Sequence, residues 1–139
     1  MAGLAAILVA NVSADESPSV LHNPTVVAAI KAAWRQTMNG RFGTEASFRL
    51  DGNPTAFRIV ATPPSNQFRH HSVEIIPRAT FAVFHVHTAK GEPAPSPADR
   101  SIADHYKLKM YTIHVQGLYE YDPVLKKTTK VRDGVKWMN

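Results

Sequence analysis

The chain has 139 residues, 44% of them hydrophobic and 19% charged, which is enough for one domain with a real core and excludes a disordered composition. The formal net charge of +5 is compatible with acidic partners, but the basic residues are scattered. Their one cluster, Lys126, Lys127, Lys130 and Arg132, reads as a solvated hairpin, so no nucleic-acid surface is indicated. With no cysteine, disulfides, thiolate metal sites and thiol catalysis are excluded, and any metal must rest on His, Asp and Glu.

In chain order, the apolar stretch at residues 3–10 is too short to span a bilayer, and no transmembrane segment follows it. Val12-Ser13-Ala14 before Asp15-Glu16 has the form of a signal-peptidase site, without Lys or Arg ahead of it. Residues 1–14 therefore read either as a signal peptide or as a short element packing on the core. Cytoplasmic and exported locations both stay open. Residues 1–22 form an N-terminal segment and residues 23–139 a single domain.

Asn23-Pro24 is a helix start, an N-cap side chain followed by Pro at the first helical position. Val27, Ile30, Trp34 and Met38 are expected on its core face, and Asn39-Gly40 at its end. Two strands are predicted, Glu45 to Leu50 and Thr55 to Thr62, around the turn cluster Asp51-Gly52-Asn53-Pro54. Pro63 to Asn66 breaks the pattern, Phe68 to His71 reads as loop, and His70 and His71 as an exposed pair.

Val73 to Ile76 is expected as a short strand ending at Pro77. Ala79 to His87 is apolar on both faces, the mark of a central strand. Thr88 to Pro95 is a loop. Ser96-Pro97 opens a further helix, Asp99 to Lys109, with Ile102 and Tyr106 on one face. Tyr111 to Tyr121 reads as a long strand with His114 half exposed, and Lys130 to Trp137 as the last strand. The order of elements indicates an α+β, α/β/α-layered fold with a mixed central sheet flanked by helices.

The chemistry concentrates where the central strand ends. Alternate strand residues share a face, so His85 and His87 point the same way. Asp99, in the first turn of the following helix, turns back toward them. Two imidazoles and a carboxylate are three corners of a catalytic zinc site, with the fourth left for water.

His85-x-His87, then Ser96-x-x-Asp99, resembles the JAMM signature of the JAB/MPN metallopeptidases. Glu45-Ala-Ser-Phe-Arg-Leu50-Asp-Gly52 resembles that family's upstream glutamate motif, 40 residues ahead of His85 (85 − 45). The resemblance spans roughly Pro24 to Tyr121. It implies the cytidine-deaminase-like architecture of JAB/MPN domains, and Zn²⁺ held by His85, His87 and Asp99. It also implies Glu45 as general base and then general acid, and Ser96 as support for the oxyanion. The implied activity is hydrolysis of a peptide or isopeptide bond. Substrates in keeping with it are a ubiquitin-like conjugate, a precursor peptide or a cell-wall peptide. Thr88 stands where the family has Pro after its second histidine, and no insertion of the kind deubiquitinases use to grip ubiquitin is visible.

Two other readings compete. One is a JAB-like module that binds without cutting. The other is a His-x-His metal phosphoesterase of the PHP type, for which Ala103-Asp104-His105 faintly matches a later motif but for whose barrel the chain has no room. Glu74 is a rival to Glu45 as base, and the oligomeric state is not legible.

Overall fold

The computed structural model describes residues 17–41, 45–62 and 73–139. Residues 1–14, the break at 63–66 and the pair His70 and His71 lie outside these. Within them the chain is α+β. A six-stranded mixed sheet runs in the order β2-β1-β3-β4-β5-β6, from β1 (Ser47–Asn53), β2 (Ala56–Thr62), β3 (Thr80–Val86), β4 (Lys109–His114), β5 (Gly117–Asp122) and β6 (Lys127–Asp133). All neighbours are antiparallel except β3 and β4, which are parallel. A parallel pair needs a crossover, and α3 (Pro97–Tyr106) supplies it. Helices α1 (Ser17–His22) and α2 (Pro24–Gln36) precede the sheet, and a 3₁₀ turn at Lys136–Met138 follows it. No helix among the described residues is long and apolar enough to cross a membrane.

Strand β3 is central, as its two apolar faces require. Ala82, Phe84 and Val86 pack in the larger core with Val26, Ile30 and Trp34 of α2, while Val83 faces the opposite way into a smaller core with Ala103 of α3, Leu108, Met110 and Tyr121. Register places Phe48, Phe84 and Tyr111 side by side on three neighbouring strands. Their rings stack nearly parallel, with centroids 4.6 Å and 4.2 Å apart. This stack fixes the three strands against one another just below the end of β3.

Several expectations shift. The buried face of α2 is Val26, Ile30, Ala33 and Trp34, not one containing Val27 and Met38. The helix ends at Gln36 because the Thr37 hydroxyl donates to the Trp34 carbonyl at 2.9 Å and accepts the Gly40 amide at 3.2 Å. Met38 lies past that end and is 60% exposed. Gly40 must be glycine, since its φ is +74° and a Cβ there would stand 3.0 Å from the Trp34 ring.

The segment 73–76 is not a strand. The Thr80 hydroxyl accepts the Ile76 amide at 2.9 Å and Arg49 Nη1 donates to the Glu74 carbonyl at 3.2 Å, so both backbone groups bond outside any ladder. The stretch from Tyr111 to Tyr121 is two strands, folded at Val115-Gln116, with Gly117 at φ +145°. The last strand ends at Asp133, and α3 runs from Pro97 to Tyr106. The buried residue of α3 is Ala103, while Ile102 and Tyr106 are exposed.

Phe84→Ala is expected to cost roughly 3–5 kcal/mol in urea unfolding, because it empties the middle of the stack. Val124→Ala, at a residue 85% exposed, is expected to stay within about 0.5 kcal/mol.

Candidate metal centre

Antiparallel pairing of β1 with β3 and parallel pairing of β3 with β4 bring three segments to one end of the sheet. His85 lies between Ser47 and Thr112 in the register. The Ala46 carbonyl accepts the Val86 amide at 2.9 Å, so the same register continued by two residues sets Glu45 beside His87. The imidazoles of His85 and His87 share one face, their rings perpendicular and 4.6 Å apart.

Asp99 arrives through a helix cap. Ser96 Oγ accepts the Asp99 amide at 3.1 Å, and Asp99 Oδ2 accepts the Ser96 amide at 2.8 Å, a reciprocal capping box with Pro97 in the first turn. The same Oδ2 stands 3.4 Å from Nε2 of His85 and 3.4 Å from Nε2 of His87. Those separations are long for hydrogen bonds. They match the spacing of about 3.3–3.4 Å between ligands that each sit about 2.0–2.1 Å from a tetrahedral zinc.

Nε2 of His85 is buried and has no hydrogen-bond partner. His87 Nδ1 lies 2.6 Å from the Glu92 carbonyl, which can only accept. In the neutral ring the proton therefore sits on Nδ1, which leaves Nε2 unprotonated toward Asp99. Among the described residues these are the three that could hold a metal together, their donor atoms within 4.8 Å of one another.

The electrostatics fit a site built to hold positive charge. Burial alone would raise Asp99, but the two imidazoles and the Ser96 amide outweigh it and hold its carboxyl far below the usual range. Burial would lower His87, but Asp99 and the Glu92 carbonyl outweigh that and raise it.

A cavity of about 510 Å³ opens over the group. Its polar side is formed by Glu45, His85, His87, Thr88, Ser96 and Asp99, and its apolar side by Val73, Ile75, Val83, Ile102 and Met110. Glu45 thus reaches the cavity without belonging to the three-residue donor group. The Ser96 hydroxyl accepts as a cap and lines the cavity. All five residues expected from the sequence meet here.

Glu74 does not line this cavity and is exposed. Asp104 is held by Lys126 at 2.8 Å and by the Tyr121 hydroxyl at 2.9 Å, so Asp104-His105 takes no part.

Three supports escaped the sequence reading. Thr112 Oγ1 donates to the Pro93 carbonyl at 2.7 Å and ties the loop after His87 to β4. Arg49, Asp51 and Thr80 form a buried network, with Arg49 Nε 3.0 Å from Asp51 Oδ2 and the Thr80 hydroxyl donating to Asp51 Oδ1 at 2.7 Å.

His114 is the third and also a correction, since it is 1% exposed rather than half exposed. Its Nδ1 accepts the Gln116 amide at 3.0 Å, so in the neutral ring Nε2 carries the proton. Burial pushes His114 down, against the opposing carbonyls of Ala89, Gly91 and Thr88 beneath which it lies. Alternation along β4 puts residue 114 on the face of Thr112, which was the available signal. The unrecognised turn at Val115-Gln116 concealed its burial.

Comparison with protein-family models, with curated proteins and with solved structures found no match for this chain.

The sign of the pH dependence separates metal-free from metal-bound protein. A raised His87 contributes stability below its ordinary value of 6.5 that is lost as pH rises through its folded value. A lowered Asp99 contributes stability above its ordinary value of 3.8 that is lost only as pH falls toward its folded value. Metal-free protein is therefore expected to weaken as pH rises past about 6.5, whereas a metal held by these imidazoles, which must be neutral to bind it, would gain affinity over the same range. Thermal melts with and without zinc at pH 5.5 and pH 8 check this. A rise in Tm on adding zinc that is larger at pH 8 than at pH 5.5 is the outcome expected of a metal held by these imidazoles.

Proposed function

We propose that this chain is a zinc-dependent peptidase or isopeptidase, a JAB/MPN-like domain of the short type. The observation that carries the reading is the buried, unpartnered Nε2 of His85, converging with His87 Nε2 and Asp99 Oδ2 at ligand spacing while a fourth side is open to a cavity. Imidazole and carboxylate donors with an open position are the donor set of hydrolytic zinc. When bound, the ion supplies a water acidified to about pKa 7 and a Lewis acid for the carbonyl.

The chain's own groups do the rest. Glu45, beside His87 but outside the donor group, takes the proton of the attacking water and returns it to the leaving amine. Ser96 donates its hydroxyl proton to the developing oxyanion while its oxygen and amide keep α3 capped. The Glu92 carbonyl holds the His87 tautomer, and Thr112 holds the loop that carries that carbonyl. The pairing of non-ligand carboxylate with ligand set favours amide hydrolysis over passive binding.

Metal analysis of purified protein should give one zinc per chain. Glu45→Gln should keep that zinc and lose activity on a peptide or isopeptide library by roughly 10²–10⁴-fold. Absence of zinc at stoichiometric level, or full activity in Glu45→Gln, would defeat the proposal. Asp99→Asn keeps an oxygen for the cap but removes the charge. It is expected to leave α3 folded by circular dichroism and to weaken zinc more than tenfold in competition with a chelator.

A further inference from the structure

The cavity's second half has no role in the chemistry above, and its composition is uniform. Val83 and Met110 are buried on the sheet face that carries α3, and Val73 and Ile75 lie partly buried over them. Ile102 lines the same cavity. It is 40% exposed, although its neighbour Ala103 is the residue α3 buries in the core. All five side chains are aliphatic or thioether, and none offers a hydrogen bond.

We propose that this wall seats a large aliphatic side chain flanking the scissile amide, with Ile102 as the residue that determines the preference. The proposal rests on the hydrolytic reading. The wall is continuous with the donor group in one cavity of about 510 Å³, inside the range of about 300–1,000 Å³ usual for ligand sites. A polar or charged side chain placed there would lose its water and gain no partner. An aliphatic one would cover Ile102 and the rims of Val73 and Ile75, removing apolar surface on both sides from water.

The wall is also preformed. Arg49 Nη1 holds the Glu74 carbonyl at 3.2 Å and Thr80 holds the Ile76 amide at 2.9 Å, so the backbone is held on either side of Ile75, the first hold falling one residue after Val73. Arg49 and Thr80 are themselves locked on Asp51. A fixed apolar shelf beside a reactive centre discriminates by side-chain size, which in hydrophobic pockets is worth roughly tenfold or more per substantial group.

The test separates this inference from the hydrolytic reading. Methyl-resolved NMR of metal-free protein is titrated with N-acetyl-leucinamide, N-acetylglycinamide and N-acetyl-aspartamide. The leucine amide should bind at least roughly tenfold tighter than the other two. Its largest shifts should fall on Ile102, Val83 and Met110. Ile102→Asn, at an exposed helix position, should abolish that preference while zinc affinity is unchanged. Equal response to the three amides, no detectable binding of the leucine amide, or a preference that survives Ile102→Asn would overturn the inference.

With zinc-loaded protein, an internally quenched peptide library varied on each side of the amide should be cut best where a large aliphatic residue flanks it. Cleavage with no such preference on either side would overturn the inference and leave the hydrolytic reading standing. Absence of all cleavage would count against the hydrolytic reading, and the metal-free titration would then decide the inference.

Discussion

One oxygen holds the functional end of the molecule together. Asp99 Oδ2 accepts the Ser96 amide at 2.8 Å and faces both imidazole Nε2 atoms at 3.4 Å. The carboxylate therefore closes the first turn of α3 and sets that turn against the end of β3. Negative charge is favoured at a helix N-terminus, where free amides and the helix dipole point outward. The helix thus helps keep Asp99 ionised in a place where burial would otherwise neutralise it. Because α3 is the crossover between β3 and β4, the contact that orients a candidate ligand is also one that seats the crossover on the sheet.

A second set of contacts governs the loop after His87. Its middle is held by Thr112 through the Pro93 carbonyl, and its start by the Ala89 amide on the Gly40 carbonyl at 3.0 Å. His114 lies buried beneath it. The Glu92 carbonyl, between these points, fixes the tautomer of His87. Thr88, where the JAMM pattern places Pro, therefore sits in a loop tied to the Gly40 carbonyl beyond the end of α2 and to the Thr112 side chain of β4. A ring constraint at residue 88 is not required to position it.

Local signals were legible in the sequence, and those that depend on register or long-range partners were not. His85-x-His87 follows from the period of a strand and Ser96-x-x-Asp99 from a helix cap, and both lie within a few residues of chain. Glu45 was legible through the form of its motif. Its place beside His87 depends on a pairing register that no local pattern specifies. Val26 and Val27 are identical side chains, so the helical stripe could be shifted by one residue, and the packing of Ala33 decided it. The Val115-Gln116 turn carries no turn-forming dipeptide, and its one sign is Gly117 at φ +145°. Val73 to Ile76 has strand composition, but the buried side chains of Arg49 and Thr80 take its backbone groups. The Arg49 contact spans 25 residues and the Thr80 contact four, and together they outweigh propensity.

Two buried imidazole nitrogens among the described residues have no hydrogen-bond partner, Nε2 of His85 and Nε2 of His114, and their surroundings differ in kind. Leaving a buried polar atom unpaired costs about 1–3 kcal/mol, so each calls for a physical reason. In the neutral ring Nε2 of His114 carries the proton and lies near the carbonyls of Thr88, Ala89 and Gly91. Nε2 of His85 is placed differently. Its neighbours are another imidazole and a carboxylate already engaged by the Ser96 amide, and its remaining side is the cavity. A divalent cation would satisfy it together with His87 and Asp99 at the spacing already present, and without moving the backbone. The unfavourable contact in the metal-free site is thus confined to the atom that a metal would take up.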